Sequence, residues 1–418
     1  MSKKLQTNDQ DRTEESGMGR NRSIFGLQML RLSCDSLQGR LLPPLALAIF
    51  TLVTRVLCSG SIYFADGPNQ VRAILKKVYI VQPPGYWLFD RIAGLFPNPI
   101  TAISVMNILF SVAGVVVFYY AALFFTGRRN AFLAALAYSS IFYIWFSGEV
   151  HSTYASQILF PVSIFYVLLR YERDKAESWL LWLAAVLFAV GAGLRPSDGA
   201  FLFPMLVYFS AVWLPWRKAV LFLALSLAMC LAWVVPTAWA YHHFDHDYFS
   251  GLPAEGASSY TMNIVKVRSV MAGVNAYSLA NVTRYVLPLM VAFWPVLTIA
   301  VLSIVRHWED WRIRMLLIWI LPGSLFFILS YIADAPYLNF LSAAVLLLAV
   351  RAPRMIAVTA VWNIVLFLSF CPIQNPSQRL SVNVWNNYTA QFTRYAINHQ
   401  WQPKSLSQLN PGGIGVRH

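Results

Sequence analysis

Apolar runs long enough to cross a bilayer follow one another along most of the chain. They lie at about 41–59, 100–126, 131–147, 154–170, 178–194, 199–215, 219–240, 284–305, 313–332, 337–350 and 355–371. A bilayer helix needs roughly 20 apolar residues, and several of these runs are short. The pattern therefore predicts an all-α polytopic membrane protein with about eleven transmembrane helices, within a range of ten to twelve.

The composition supports this fold class. The chain is 58% hydrophobic and only 12% charged, whereas soluble domains carry about 25% charged residues. A soluble domain of 418 residues is therefore excluded, and so is disorder over most of the chain. The four Cys have no CxxC spacing, so neither a redox motif nor a zinc motif is indicated.

The loops alternate between two kinds, which predicts the orientation of the chain. Short basic loops lie at 127–130, 170–175, 216–218, 306–314 and 351–354. The positive-inside rule places them in the cytoplasm, together with a basic tail at 1–40. The net charge of +14 then reflects loops beside anionic lipid and does not require nucleic acid. We expect a transmembrane domain at 41–372 and a polar tail at 373–418, extracytoplasmic if the span count is eleven.

The opposite loops carry the carboxylates and imidazoles, at 60–99, 148–153, 195–199, 241–281 and 333–336. Polar residues are common in any loop. A site built from loops on one face nevertheless suits an enzyme better than a carrier, which would place polar groups near the bilayer midplane.

The first outer loop contains an amphipathic pattern. Val71, Ile74, Leu75 and Val78 recur at helical spacing, so an amphipathic helix is predicted. Asp66 lies just before it, and the structural interpretation is an N-cap. The functional interpretation is a general base held beside the membrane.

Basic and aromatic residues in the same loop extend this candidate site. The polar side of the helix can bind a phosphate or simply lipid headgroups, through Arg72, Lys76 and Lys77. Tyr86 and Trp87 are either residues of the interfacial aromatic belt or a wall that stacks on a sugar or a prenyl chain.

Two later loops add charged candidates. Glu149 and His151 either face a cavity or form a solvated pair. Arg195 lies between two short apolar runs, where an unpaired cation is costly. Its structural partner is Asp198, and its functional partner is a substrate phosphate, which Arg binds through two parallel hydrogen bonds.

This arrangement resembles the GT-C fold glycosyltransferases, in particular the bacterial branch with the protein O-mannosyltransferases and the lipid A aminoarabinose transferase. The resemblance extends over roughly residues 41–350. The matching positions are Asp66, Gln82–Trp87, Gly193–Asp198, Trp233–Pro236 and Ala333–Leu338.

The resemblance implies a polyprenyl-phosphate sugar donor, a catalytic Asp66 and an extracytoplasmic site in a bacterial inner membrane. Many members carry Glu directly after that Asp, but here Gly67 follows. A metal held by an Asp-Glu pair therefore has no support, and Glu149 can supply the second carboxylate. The run 242–247 is rich in His and Asp, but without a second cluster a solvated loop is favoured over a metal site.

Two other function classes stay open. A transporter or flippase of lipid-linked sugars predicts charged residues within spans and repeated halves, and neither is found in the sequence. A non-catalytic assembly protein predicts that Asp66 can be replaced without loss of activity. For an enzyme, the expected partners are a lipid-linked sugar donor and a lipid, glycan or protein acceptor, with no nucleic acid. The absence of GxGxxG and P-loop motifs is consistent with a lipid-linked donor.

Overall fold

A computed structural model describes residues 41–57, 66–77, 86–149, 151–243, 277–329 and 335–369. The chain divides into two compact units, residues 1–46 and 47–418. In the first unit the described residues are 41–46, the start of helix α1. The expected tails at 1–40 and 373–418 lie outside the described residues, as does most of the His- and Asp-rich run at 242–247.

The described ranges are helical and contain no strand. The helix α1 covers Leu41–Leu57, and two short 3-10 helices cover Thr153–Ala155 and Ala335–Leu338. The remaining helices are α2 (Asp66–Leu75), α3 (Trp87–Ala93), α4 (Pro99–Ala122), α5 (Arg128–Ser140), α6 (Phe142–Ser147), α7 (Ser156–Arg173), α8 (Trp179–Leu194), α9 (Pro196–Trp213), α10 (Trp216–His243), α11 (Tyr277–Arg306), α12 (Trp311–Leu329), α13 (Asn339–Ala349) and α14 (Pro353–Ser369).

The predicted all-α membrane fold is confirmed, because each apolar run of the sequence coincides with helical structure. Within the described residues, five helices have the length and composition to cross a membrane, and four shorter apolar helices accompany them. The number of eleven crossings stays a prediction. Large apolar side chains are exposed along α10, among them Val220, Leu227, Leu231 and Val235, as expected of a helix that faces lipid.

One predicted span is broken in the structure. The apolar run at 131–147 forms two helices, because Ile141 leaves the helical conformation with φ −55° and ψ 123°. The backbone groups freed by this break find partners on other helices. Arg55 of α1 donates from Nη2 to the Ser139 carbonyl oxygen at 2.7 Å, and the Phe142 amide donates to Asn363 Oδ1 at 3.3 Å.

Small residues allow close helix crossings. A Cβ added at Gly114 of α4 would lie 2.5 Å from the carbonyl oxygen of Ile158 on α7. Likewise, a Cβ at Gly191 of α8 would lie 2.8 Å from the Cβ of Phe160. The three helices therefore meet almost backbone to backbone, and this fixes the positions of the segments at their ends.

The helices α4 and α7 form polar contacts at both of their ends, and the two groups of contacts differ. At the C-terminal ends, Arg312 Nη2 lies 3.6 Å from Oε2 of Glu172 in the last turn of α7, and Arg312 also reaches the carbonyl of Phe124, just after α4. We call this region the basic end. The residues before the N-terminal ends form what we call the site end. Since α4 has 24 residues, the two ends are about 36 Å apart along that helix.

Candidate functional site

The site end is centred on Arg195, the residue between α8 and α9. Its extended backbone (φ −149°, ψ 94°) ends α8, and Pro196 then begins α9 at a position where its missing N–H costs nothing. The Arg195 side chain is 2% exposed. A guanidinium is thus buried at a turn between two apolar helices.

Three tyrosine rings surround this guanidinium. The Arg195 Cζ lies 4.3 Å from the ring centroid of Tyr154, 5.1 Å from that of Tyr337 and 5.8 Å from that of Tyr86. The Tyr154 and Tyr337 rings also contact each other edge to face, at 5.3 Å. All three lie within the range of cation–π attraction, which strengthens where water is excluded. We call Arg195 with Tyr86, Tyr154 and Tyr337 the tyrosine cage.

The polar contacts of the cage leave part of the guanidinium unused. Arg195 Nη1 donates to Thr153 Oγ1 at 3.0 Å, and Nε lies 3.5 Å from Asp198 Oδ1. That carboxylate oxygen accepts a much shorter bond, of 2.7 Å, from Gln157 Nε2. Within the described residues the Nη2 amino group donates no hydrogen bond. The arrangement can therefore accept an anion.

The cage joins segments that are far apart in sequence. Tyr86 comes from the Gln82–Trp87 segment, Arg195 from Gly193–Asp198 and Tyr337 from Ala333–Leu338. Trp233 belongs to a fourth of the predicted segments, and its Cδ1 would lie 2.7 Å from a Cβ added at Gly193. Four of the five segments singled out in the sequence thus meet at the site end.

The fifth segment begins α2, which starts at Asp66. The side chains of Asp66 and Arg72 lie outside the description. Val71 and Ile74 are buried against α3 and α4 as the amphipathic pattern predicts, but Leu75 is 52% exposed. The prediction that Leu75 lies on the buried face of the helix is therefore wrong. Leu75 is the last residue of α2.

The remaining candidates in the first outer loop differ in exposure. Lys76 and Lys77 are exposed after the end of α2, and Lys77 has the left-handed backbone conformation (φ 60°). Tyr86 is buried in the cage, whereas Trp87 is half-buried. The structure thus brings Tyr86 to Arg195 and leaves the two lysines at the surface.

Glu149 and His151 lie in the irregular segment between α6 and α7, and both are buried. His151 Nε2 donates to the Ile100 carbonyl at 3.0 Å and lies 2.9 Å from Ser104 Oγ. This imidazole therefore ties the segment to the first turns of α4. Glu149 follows Gly148, where an added Cβ would lie 3.0 Å from Arg55 Nε.

Further hydrogen bonds fix the segment that carries Tyr154 of the cage. Asn339 Nδ2 donates to Ser147 Oγ at 2.7 Å and to the Tyr154 carbonyl at 3.3 Å. The first residue of α13 thereby holds the end of α6 and the segment that carries Tyr154. The backbone of Tyr154 is fixed in this way, while its ring contacts Arg195.

The comparison with protein families bears on this region of the chain. A family model described as dolichyl-phosphate-mannose-protein mannosyltransferase matches residues 81–239. The match supports a GT-C-like glycosyltransferase. The matched segment includes Tyr86, Glu149, Tyr154, Arg195 and Asp198, while Asp66 and Tyr337 lie outside it. A search of curated proteins finds no match.

Several residues of this candidate site were missed from the sequence. Tyr154, Thr153 and Gln157 contact Arg195 or its ion-pair partner, yet they lie in or beside an apolar run and carry no spacing signal. Tyr337 was part of a recognised segment, but its ring was not singled out. Arg55 was overlooked as a cation inside the first span, and the structure places it fully buried. A charged residue within an apolar run is the sequence signal that could have identified Arg55.

Proposed function

We propose that the glycosyltransferase moves a sugar from a polyprenyl-phosphate donor to an acceptor at the extracytoplasmic face of the membrane. The observation that carries this proposal is the tyrosine cage, a buried guanidinium with an unused amino group at the turn between two apolar helices. The family match supplies the reaction class, and its mannose-based description makes mannose the first sugar to test.

The cage suits a lipid-bound phosphate. A lone buried cation is costly, and Asp198 offsets it only in part because its Oδ1 is held more closely by Gln157 than by Arg195. A phosphate monoanion or diester would add the missing negative charge. It would accept from Nη2 in the planar geometry that favours Arg over Lys. The prenyl chain can stay in the bilayer beside the half-buried Trp87.

The same charge arrangement assists the reaction. The acceptor oxygen or nitrogen forms a bond to the anomeric carbon, the bond from that carbon to the phosphate oxygen breaks, and the polyprenyl phosphate leaves with the electron pair. Negative charge grows on the leaving oxygen, and a preorganised cation stabilises it more strongly than water does. We assign this part to Arg195.

The acceptor proton needs a base, and we assign this part to Asp66. The helix that begins at Asp66 packs against α3, and Tyr86 of the cage directly precedes α3. Glu149 is the second carboxylate candidate, and His151 holds its segment in place. Arg72, Lys76 and Lys77 are proposed to bind the donor's phosphate or neighbouring lipid headgroups.

The wider context is proposed on the resemblance and on the loop charges. The basic end would face the cytoplasm with the N-terminus, and the site end would face outward from a bacterial inner membrane. The catalytic domain would cover residues 41–372. The chain would need no nucleotide, because the donor is already activated as a lipid phosphate.

The test is a transfer assay with purified protein in detergent. A panel of radiolabelled polyprenyl-phosphate hexoses and pentoses, starting with mannose, is offered to the wild type and to Asp66→Asn. Asn still caps a helix start, so folding should be retained while transfer falls by about 10²–10⁴-fold. Full activity of Asp66→Asn would remove Asp66 as the base, and no turnover of any donor by folded wild type would contradict the function.

A further inference from the structure

A buried carboxylic acid lies on α3, outside the set of predicted residues. The buried face of α3 consists of Phe89, Asp90 and Ala93, and it continues the buried side chain of Tyr86. Asp90 is completely buried. Among the described residues, neither of its carboxyl oxygens has a hydrogen-bond partner. In the described part of the chain, Asp90 also forms no ion pair.

The surroundings of Asp90 are apolar. The helix α3 packs against α2, α4, α8 and α10, and the side chains clustered with its buried face include Val71, Ile103, Phe160 and Leu194. Burial raises the pKa of Asp90 well above its usual range. Burial thus favours the neutral acid, which can both donate and accept a hydrogen bond.

Packing alone does not explain this residue. A buried polar group without a partner destabilises the folded protein, whereas an apolar side chain of similar shape can be nearly neutral or stabilising. Most buried polar side-chain atoms in proteins are satisfied. A further unsatisfied buried atom in the described part of the chain, Gln70 Oε1, lies on α2, which contacts α3. Unsatisfied polar atoms thus lie on two neighbouring helices.

A hydroxylated ligand matches this set, because each hydroxyl group both donates and accepts. Asp90 follows Tyr86 by one helical turn, and its amide bonds to the Tyr86 carbonyl at 2.9 Å. Four residues advance a helix by about 6 Å, which is about the length of one sugar ring. Tyr86 itself contacts the guanidinium that is proposed to hold the phosphate.

We propose that Asp90 binds a hydroxyl group of the sugar on the lipid-phosphate donor, one helical turn away from the site of the phosphate. This assignment rests on the proposed function and makes α3 the element that recognises the sugar. Arg195 then binds the phosphate, which all polyprenyl-phosphate donors share, and Asp90 binds the sugar, which differs between them.

The test compares two ligands that differ only in the sugar. Binding of polyprenyl-phosphate mannose and of sugar-free polyprenyl phosphate is measured for the wild type, Asp90→Asn and Asp90→Leu in detergent. If another sugar of the panel is the one transferred, its polyprenyl phosphate replaces mannose. We expect Asp90→Leu to weaken the sugar-bearing ligand about tenfold, the value of one hydrogen bond, and to leave the sugar-free ligand within twofold. Asp90→Asn should give a smaller loss, since an amide still bonds to hydroxyl groups.

Stability supplies the second readout. Asp90→Leu should unfold at a higher temperature than the wild type, because it removes an unsatisfied buried carboxyl. The control is Ser226→Ala, which deletes a buried hydroxyl that already bonds to the Phe222 carbonyl at 2.8 Å. This variant should bind both ligands as the wild type does.

Two outcomes would overturn the assignment. Equal affinity of all variants for the sugar-bearing ligand shows that Asp90 does not contact the sugar. Equal weakening of both ligands shows a purely structural role. Failure of the wild type to bind either ligand would instead contradict the proposed function, and the sugar contact with it.

Discussion

Replacing Arg195 with Lys tests the tyrosine cage most sharply, because it keeps the charge and removes the planar fork. In the structure the guanidinium meets three tyrosine rings and donates to Thr153. A Lys ammonium can still lie over one ring, but it cannot hold Thr153 and a phosphate in the same fixed geometry. The expected defect is therefore weaker binding of the donor with folding retained.

The size of the defect follows from the hydrogen bond to phosphate that Lys cannot make in this geometry. One hydrogen bond to a charged group is worth about 1.5–3 kcal/mol, and each 1.4 kcal/mol is tenfold in affinity. Arg195→Lys should thus raise the donor KM by about 10- to 150-fold. The acceptor KM should change by less than about threefold, since no acceptor group is assigned to Arg195.

Initial-rate transfer kinetics with each substrate varied in turn measure both constants. The matched control is Arg312→Lys at the basic end, where the guanidinium also lies near a carboxylate, Glu172, and over an aromatic ring, Trp311. The control should leave the donor KM unchanged. An Arg195→Lys enzyme with a wild-type donor KM, or with equal losses for donor and acceptor, would refute the phosphate site.

Two further predictions concern the scaffold. Gly114→Ala should destabilise the protein by about 1–3 kcal/mol, because its Cβ would press on the Ile158 carbonyl. The control Gly127→Ala, which has open space around it, should have the melting temperature of the wild type. Equal melting temperatures of the two variants would contradict the close helix crossing. Arg55→Leu should lower the free energy of unfolding by about 1–3 kcal/mol, because the buried Ser139 carbonyl loses its hydrogen-bond donor. An unchanged melting temperature would show that this carbonyl finds another partner.

Much of the fold could be predicted because lipid imposes a simple rule on sequence. A spanning segment must be helical and apolar, so runs such as 219–240 mark their helices directly. The break at Ile141 could not be predicted in this way. It depends on partners from distant helices, namely Arg55 and Asn363, and such pairing leaves no mark in local periodicity.

The candidate site was predictable only in part. Arg195 was indicated by the cost of a cation between two apolar runs, and Tyr86 by its place in a proline-rich aromatic segment. Tyr154 and Gln157 were not, because their roles arise from the packing of α7 against α4 and α8. Asp90 was also missed, since an acidic residue in an interfacial segment is expected to be solvated. Its complete burial is a tertiary property.

The most direct test of the central claim is a cryo-electron microscopy structure of the protein bound to polyprenyl phosphate. The account predicts phosphate density within about 3 Å of the Arg195 guanidinium nitrogens, with the rings of Tyr86, Tyr154 and Tyr337 around it and the prenyl chain leading into the bilayer. Phosphate bound elsewhere, with Arg195 still held only by Thr153 and Asp198, would contradict it.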